Sequence, residues 1–310
     1  MSLDQEMILV AISAYIIGMI ALFNYMLART ELSKKIGIPF AILGCAVQFI
    51  ELGYRWESSH IWPLTNLYGS LSLFAAMSVA IFVGYAFRYD LWFMGGFVLA
   101  LAAGFLAYGL TWNEGYLPAV PALQSYWIKI HVPLVVSAYA SFLVAAVSSL
   151  LYLIKYFGER ALAPVAPAPA AAAAAAPAPR SIIVGDSPNL ERAAAGGNTL
   201  ALWLATLPTL PKLDIITYRI VALGLPLLTL GIITGAWWAK EAWGAYWQWD
   251  PKETAALFSW IVYALYMHLH TRTWFRGFPS AIISVFGFLT IIFCYLGVNI
   301  WISGLHSYKM

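Results

Sequence analysis

The stretch WGAYWQWDPKE, residues 243–253, concentrates aromatic side chains in a way that suits the binding of a flat ligand. Its aromatic and small residues are Trp243, Gly244, Ala245, Tyr246, Trp247 and Trp249. Tryptophan and tyrosine often mark the membrane boundary, and that explanation covers the scattered tryptophans of this chain. It covers the dense run less well, because a large π-ligand can stack on such rings and Gly244 lets it approach closely. If the stretch is helical, Trp243 and Trp247 share a face.

The acidic end of the same stretch has a local interpretation. Asp250 suits a helix N-cap and Pro251 suits the first turn. Glu253 stands where a capping box places its glutamate. Two roles therefore stay open for Asp250 and Glu253, namely a structural cap or a part in the chemistry of the aromatic stretch.

Two of the five histidines fall at the same predicted membrane boundary as the aromatic stretch. His131, in LQSYWIKIHVP, opens one apolar run, and His306, in ISGLHSY, follows another. An interfacial histidine more often hydrogen-bonds a headgroup or a helix than binds a metal. Two neutral imidazoles from different helices, however, commonly hold haem iron, so the pair predicts a haem site at this boundary. His60 lies in a further loop on that side.

His268 and His270 lie deeper, near the end of another apolar run. An ionisable residue at membrane depth is costly to bury and indicates function by default. Helical residues two positions apart are separated by about 200° around the axis, so these two face opposite ways. One is predicted to face the bundle interior and the other lipid, water or a neighbouring subunit.

The elements that position these residues are predicted to be membrane helices. The chain of 310 residues is 62% hydrophobic and 10% charged, whereas soluble domains carry about 25% charged residues. Apolar runs near the ~20 residues that a bilayer needs predict an all-α polytopic bundle of about eight transmembrane helices. The predicted spans are roughly 6–28, 36–54, 66–87, 91–110, 128–156, 217–238, 254–272 and 281–304.

The two cysteines, Cys45 and Cys294, lie far apart inside apolar runs. The chain has no CxxC, so neither a dithiol redox site nor a zinc knuckle is predicted. It also lacks CxxCH, which excludes a c-type cytochrome with covalently attached haem. The first apolar run has no basic segment before it and is predicted to be retained as a span.

The distribution of charge predicts which loops face the cytoplasm. Twelve of the 17 lysines and arginines fall in one set of loops, and five fall in the set that includes both termini. The positive-inside rule then places both termini and the aromatic stretch on the outer side. The Ala/Pro-rich segment 158–200 is predicted to be a flexible cytoplasmic linker. It separates a five-span region, 1–157, from a three-span region, 201–310, which carries the aromatic loop at 237–253.

These motifs resemble the CcsA (ResC) family of System II cytochrome c biogenesis. WGAYWQWDPKE is similar to the tryptophan-rich WGxxWxWDxxE signature of that family, the WWD domain. The segments LQSYWIKIHVPLVVSAYASF, CYLGVNIWISGLHSY and SSHIWPLTNLYGSL extend the similarity, which covers the second half of the chain almost continuously. The sequence departs from the family in its Ala/Pro insertion and at Ala255, where the family usually has tryptophan.

The resemblance implies a haem site and its ligands. His131 and His306 are implied to be the external axial ligands of ferrous haem b. One intramembrane histidine is implied after the signature, at His268 if the pattern is extended without a gap, with His270 as the alternative. The haem-binding residues implied within the signature are Trp243, Gly244, Tyr246, Trp247, Trp249, Asp250 and Glu253. The candidates to pair with the haem propionates are Lys240 and Lys252.

The resemblance also implies a reaction and partners. The expected function is haem delivery across the membrane and its covalent attachment to the CxxCH of apocytochromes c, as a holocytochrome c synthase subunit acting with a CcsB (ResB) partner. Thiol-reducing proteins and membrane lipid are further expected partners, and nucleic acid is not. The active site is expected to face the periplasm or lumen from a bacterial inner membrane or a thylakoid. A haem exporter without ligation activity and a haem b electron-transfer protein are the alternatives.

Overall fold

The structure is a computed structural model that describes residues 2–112, 121–162, 190, 194 and 196–302. These residues form helices and connections without a strand, and seven of their helices are long and apolar enough to cross a membrane. The predicted all-α membrane bundle is confirmed. The helices are α1 (Leu3–Ala28), α2 (Glu31–Ser59), α3 (Leu67–Tyr89), α4 (Gly95–Leu110), α5 (Ile128–Ala161), α6 (Thr199–Thr206), α7 (Leu210–Trp243), α8 (Pro251–His270), α9 (Phe278–Ile292) and α10 (Val298–Trp301).

The prediction of about eight spans is matched by seven helices of sufficient length and apolarity within the described ranges. The remaining predicted span, 254–272, corresponds to α8, a continuous helix of 20 residues that is not among the seven. Charged residues begin α8 and two histidines end it, which lowers its mean apolarity. That α8 crosses the membrane, and that both termini lie on the outer side, stay predictions.

Helices α5 and α7, each of 34 residues, pack along one another. A Cβ added at Gly231 of α7 would lie 2.5 Å from Cγ2 of Val135, and one at Gly224 would lie 2.7 Å from Cε1 of Phe142. Small residues let helix backbones approach closely in a membrane, where apolar burial alone gives no advantage over lipid. This packing sets the register of the pair, so the first turns of α5 meet the last turns of α7.

The predicted linker, 158–200, is bracketed by helices, because α5 runs past its start and α6 begins just before its end. The Asn198 side chain caps α6 by accepting a hydrogen bond from the Ala201 backbone N–H at 3.1 Å. The Thr206 hydroxyl donates to the Met26 carbonyl at 3.2 Å, which holds α6 against the end of α1. Most of the Ala/Pro-rich segment lies outside the described residues, so its flexibility and its cytoplasmic location stay predictions.

Candidate functional site

A cavity of about 180 Å³ lies at one end of the bundle, between the start of α5, the end of α7 and the start of α8. Leu64, from the α2–α3 connection, and Ala122, from the α4–α5 connection, complete its wall. These connections and the aromatic stretch are the segments that the charge distribution assigns to one side of the membrane. They do meet at one end of the bundle, while the assignment of that end to the outer side stays a prediction.

His131 lies in the first turn of α5 and lines this cavity. Its Nδ1 is 2.7 Å from the carbonyl oxygen of Gly231. Because a carbonyl oxygen can only accept, Nδ1 carries the hydrogen and Nε2 keeps its lone pair. A hydrogen bond of this kind orients metal-binding histidines and fixes their tautomer. Gly235 makes room for the ring, since a Cβ there would lie 2.7 Å from Cε1 of His131.

Trp238 is a buried residue of the cavity wall that sequence reasoning missed. Its ring stacks on that of His131, with centroids 5.9 Å apart and planes at 20°. Its indole Nε1–H donates to the Ala122 carbonyl at 2.8 Å, which ties α7 to the segment before α5. Gly231, Gly235 and Trp238 are spaced i, i+4 and i+7, which places them on one face of α7. This spacing is the sequence pattern from which the position of Trp238 beside the two glycines could have been predicted.

The aromatic stretch is helical at Trp243 and again from Pro251, where α8 begins. α7 continues through Trp243 and ends at Gly244, whose φ of 82° suits glycine at a helix C-terminus. Residues 244–250 are not helical. The condition for a common helical face of Trp243 and Trp247 is therefore not met, because the helix stops between them, although both residues line the cavity.

The remaining aromatic residues of the stretch differ in their exposure. Tyr246 lines the cavity and is 56% exposed. Trp249 is 69% exposed and lies outside the cavity wall, with its ring 5.6 Å from that of Trp247 at 89°. Gly244 has open space where a side chain would stand, as the predicted close approach of a ligand requires. The cavity thus has an aromatic wall and a solvent-facing aromatic rim.

The predicted capping box at the start of α8 is confirmed. The Asp250 side chain accepts a hydrogen bond from the backbone N–H of Lys252 at 2.9 Å. Oε2 of Glu253 accepts from the backbone N–H of Gln248 at 2.8 Å and of Asp250 at 3.3 Å. Both carboxylates thereby hold the loop and the helix start in place.

The two lysines beside the stretch lie in different surroundings. Nζ of Lys240 donates to the Gly244 carbonyl at 2.8 Å and lies 5.6 Å from the centre of the Tyr246 ring, on the exposed end of α7. Nζ of Lys252 donates to Oδ1 of the buried Asn299 at 2.7 Å, and Lys252 lines the cavity. The sequence could not show which of the two lysines lines the cavity, whereas the structure shows that Lys252 does.

His268 and His270 face opposite ways, as their spacing predicts. His270 is buried, with Nε2 3.0 Å from Oδ2 of Asp214 and its ring stacked on that of Tyr218 at 4.5 Å. His268 is exposed on the bundle surface. The described residues do not enclose His268, so its assignment as the intramembrane ligand stays a prediction that needs a second chain to complete the site.

His306 and His60 are the remaining two of the five histidines. His306 lies outside the described residues, so its predicted place opposite His131 stays a prediction. His60 is exposed and follows the last residue of α2, where it adopts the left-handed conformation with φ 55°. It is not part of the cavity wall formed by the described residues.

Comparison with known proteins identifies the family. The family described as "Cytochrome C assembly protein" matches residues 64–306. The chain is 33% identical over 294 residues to the cytochrome c biogenesis protein CcsA of Heterosigma akashiwo, with 92% of this chain and 88% of that protein covered. The chain belongs to the CcsA family of cytochrome c biogenesis proteins. Relatives of the same name from Microcystis aeruginosa, 36% identical over 83% of this chain and 82% of theirs, and from Synechocystis sp., 32% identical over 96% and 95%, agree.

A solved structure shares the fold. The chain resembles the structure titled "Cytochrome c Heme Lyase CcmF", with a TM-score of 0.58, 15% identity and 95% of this chain covered. The chain spans 46% of the length of that protein, so the likeness concerns the fold of a part of it. The family, not this likeness, gives this membrane protein a role in cytochrome c maturation.

Proposed function

We infer that this chain is the haem-handling subunit of a System II cytochrome c synthase. Its substrates are ferrous haem b and the CxxCH of an apocytochrome c, and it acts with a CcsB (ResB)-type membrane subunit. The observation that carries this proposal is the imidazole of His131, which lines an aromatic cavity with its Nδ1–H bound to the Gly231 carbonyl. Nε2 is then the nitrogen available to iron.

The residues of the cavity fit haem by their chemistry. His131 supplies one neutral axial ligand, and His306 is proposed as the other. Trp238, Trp243 and Trp247 offer aromatic surface for a flat macrocycle. Two neutral ligands favour the ferrous state more than an anionic ligand does, because they place no negative charge on the iron to stabilise the ferric one. The WWD residues thus act by holding the substrate.

In the attachment reaction the role of the protein is to position the reacting groups. Each thiol adds across a vinyl group, so that one C–S and one C–H bond form while the S–H bond and the C=C π bond are consumed. No leaving group departs, and no protein nucleophile is required. The contribution of the chain is to hold thiol and vinyl within reach, and thiol-reducing proteins keep the CxxCH reduced.

The delivery step is assigned to the exposed histidine of α8. His268 stands on the bundle surface, where a ligand from the partner subunit can complete an intramembrane haem site. In this proposal the segment 158–200 is a cytoplasmic linker, and the regions 1–157 and 201–310 together build the outer site. That site faces the periplasm or lumen from a bacterial inner membrane or a thylakoid.

The first experiment compares reduced-minus-oxidised spectra of the purified full chain, with and without its partner, for wild type and His131→Ala. We expect haem b to co-purify with wild type and to be lost or oxidised in His131→Ala, with recovery on addition of imidazole. His60→Asn is the matched control, because residue 60 lies off the cavity and asparagine tolerates its backbone conformation. An unchanged six-coordinate spectrum in His131→Ala would contradict the proposal.

A second readout separates attachment from export. Co-expression with an apocytochrome should give thioether-linked haem with wild type and only background with His131→Ala, and imidazole should restore part of the product. Haem that appears outside the membrane without thioether product would instead identify an exporter.

A further inference from the structure

Lys252 is placed where its ammonium group can contact a ligand in the cavity. It lies in the first turn of α8 and lines the same wall as His131 and Trp243. Among the described residues of that wall it is the only lysine or arginine. A lysine at a membrane boundary ordinarily extends its ammonium group to water. The ammonium group of Lys252 is instead hydrogen-bonded to Asn299, which is 3% exposed.

Asn299 is itself held in place. Its Nδ2 donates to the carbonyl of Tyr295 at 2.6 Å, and Tyr295 belongs to the π-helical turn Phe293–Gly297 between α9 and α10. Single π-helical turns within helices occur frequently at functional sites. Asn299 thus acts as a positioning residue that aims Nζ of Lys252 through the 2.7 Å hydrogen bond. Cys294 of the same turn also reaches the Lys252 carbonyl, at 3.7 Å.

The other charged residue in the described wall is Glu253, and its carboxylate is directed to the loop. Its Oε2 accepts from two backbone N–H groups of the aromatic stretch, those of Gln248 and Asp250. The start of α8 adds the positive end of a helix dipole beside Lys252. The wall therefore combines an imidazole nitrogen, aromatic faces and one fixed cation.

We propose that Lys252 binds a carboxylate of the substrate and thereby sets its orientation in the cavity. The substrate class is a flat aromatic macrocycle with a carboxylate-bearing edge, and the inference rests on the proposed function, in which that edge carries the haem propionates. Lys240 does not take this role, because its ammonium group is turned to the Gly244 carbonyl and the rim ring of Tyr246. The sequence offers both lysines as candidates to pair with the propionates, but of the two only Lys252 lines the cavity.

The test uses the full chain in lipid nanodiscs and two probes, haem and its dimethyl ester, in which both propionates are neutral. Each is titrated by absorbance into wild type, Lys252→Gln, Lys252→Arg and Lys240→Gln. We expect wild type to prefer haem over the ester by about 10- to 100-fold, the factor that a charge-assisted hydrogen bond gives. Lys252→Gln should bind both probes equally, whereas Lys252→Arg and Lys240→Gln should retain the preference.

The comparison of probes distinguishes this inference from the proposed function. Wild type that binds both probes equally, with the spectrum of a histidine-ligated haem, would overturn the role of Lys252 and leave the haem site intact. A preference for haem over the ester that persists in Lys252→Gln would likewise overturn the role of Lys252 and leave the haem site intact. Wild type that binds neither probe would overturn both proposals. The comparison of the two probes in wild type needs no variant. The inference can therefore be contradicted even if Lys252→Gln folds poorly.

Discussion

The two ends of α7 each hold a histidine of a neighbouring helix, and the acceptors that hold them differ in kind. Toward the C-terminal end, the Gly231 carbonyl lies 2.7 Å from Nδ1 of His131. Toward the N-terminal end, Oδ2 of Asp214 lies 3.0 Å from Nε2 of His270. The first ring lines a cavity, whereas the second is buried and stacked on Tyr218.

The carboxylate at the second end is shared among several donors. Oδ1 of Asp214 accepts from the Gly277 backbone N–H at 3.1 Å and from the Ser280 hydroxyl, so α7, α8 and the start of α9 are joined. His270 in this network serves to hold helices together. A histidine held by one backbone carbonyl is oriented but keeps its second nitrogen for a ligand. A carboxylate can orient a metal-binding histidine just as a carbonyl can. The cavity beside the ring of His131 therefore separates this proposed ligand from His270, which is buried and stacked on Tyr218.

The largest effect on stability is expected from Asp214→Ala, which removes the acceptor shared by three donors. A buried pair broken on one side leaves polar groups without compensation, so we expect a loss of about 3 kcal/mol in the free energy of unfolding. Denaturant unfolding of the purified chain, followed by circular dichroism, measures it. The spectrum of haem bound at His131 should not change in the fraction that stays folded.

Asp90→Asn is the control for this change, because asparagine tolerates the left-handed conformation that Asp90 adopts, with φ 54°. Asp90 pairs with Lys34 at 2.8 Å, but its side chain is 67% exposed, so its loss should cost less than about 1 kcal/mol. If Asp214→Ala kept full stability and abolished the haem spectrum instead, the two ends of α7 would not differ in the way described.

A smaller effect is expected from Gly235→Ala, which acts on the proposed ligand His131 by steric contact. The new Cβ would lie 2.7 Å from Cε1 of His131, so the ring must shift away from its hydrogen bond to Gly231. Overpacking of this size costs about 2 kcal/mol, which we expect to appear as weaker haem binding in an absorbance titration. Gly104→Ala, which meets no atom within 4 Å, should bind haem as wild type does. Equal losses in both variants would show that replacing a helical glycine, and not contact with the ring of His131, is responsible.

Sequence reasoning succeeded where the deciding contacts are local. The capping box of Asp250 and Glu253 joins residues three positions apart, so residue type and spacing suffice to predict it. The opposite orientations of His268 and His270 follow from helical geometry in the same way. The end of α7 was harder, because Lys240 and Glu241 end the apolar run while the helix continues to Trp243. Hydropathy locates the membrane-embedded part of a helix, not its last hydrogen bond.

The contacts that separate one histidine or lysine from another are long-range and could not be predicted. His270 is buried because Asp214, 56 residues away, faces it, and no local pattern marks that pairing. One contact that distinguishes Lys252 from Lys240 is the hydrogen bond to Asn299, 47 residues further along the chain. Residue types and their placement indicated the histidines and the aromatic stretch, and the resemblance gave their implied roles, whereas their supporting contacts needed the packing of α5 against α7.

The smallest effect tests the stacking partner of His131. Trp238→Phe keeps an aromatic ring beside the imidazole but removes the Nε1–H that donates to the Ala122 carbonyl at 2.8 Å. The loss of one neutral hydrogen bond should weaken haem binding by about 1 kcal/mol, measured by the same titration. Trp237→Phe is the matched control, because its ring is 44% exposed and packs on Trp127 outside the cavity wall. A larger loss in Trp237→Phe than in Trp238→Phe would place the haem on the outer face of α7, and the cavity around His131 would then not be its site.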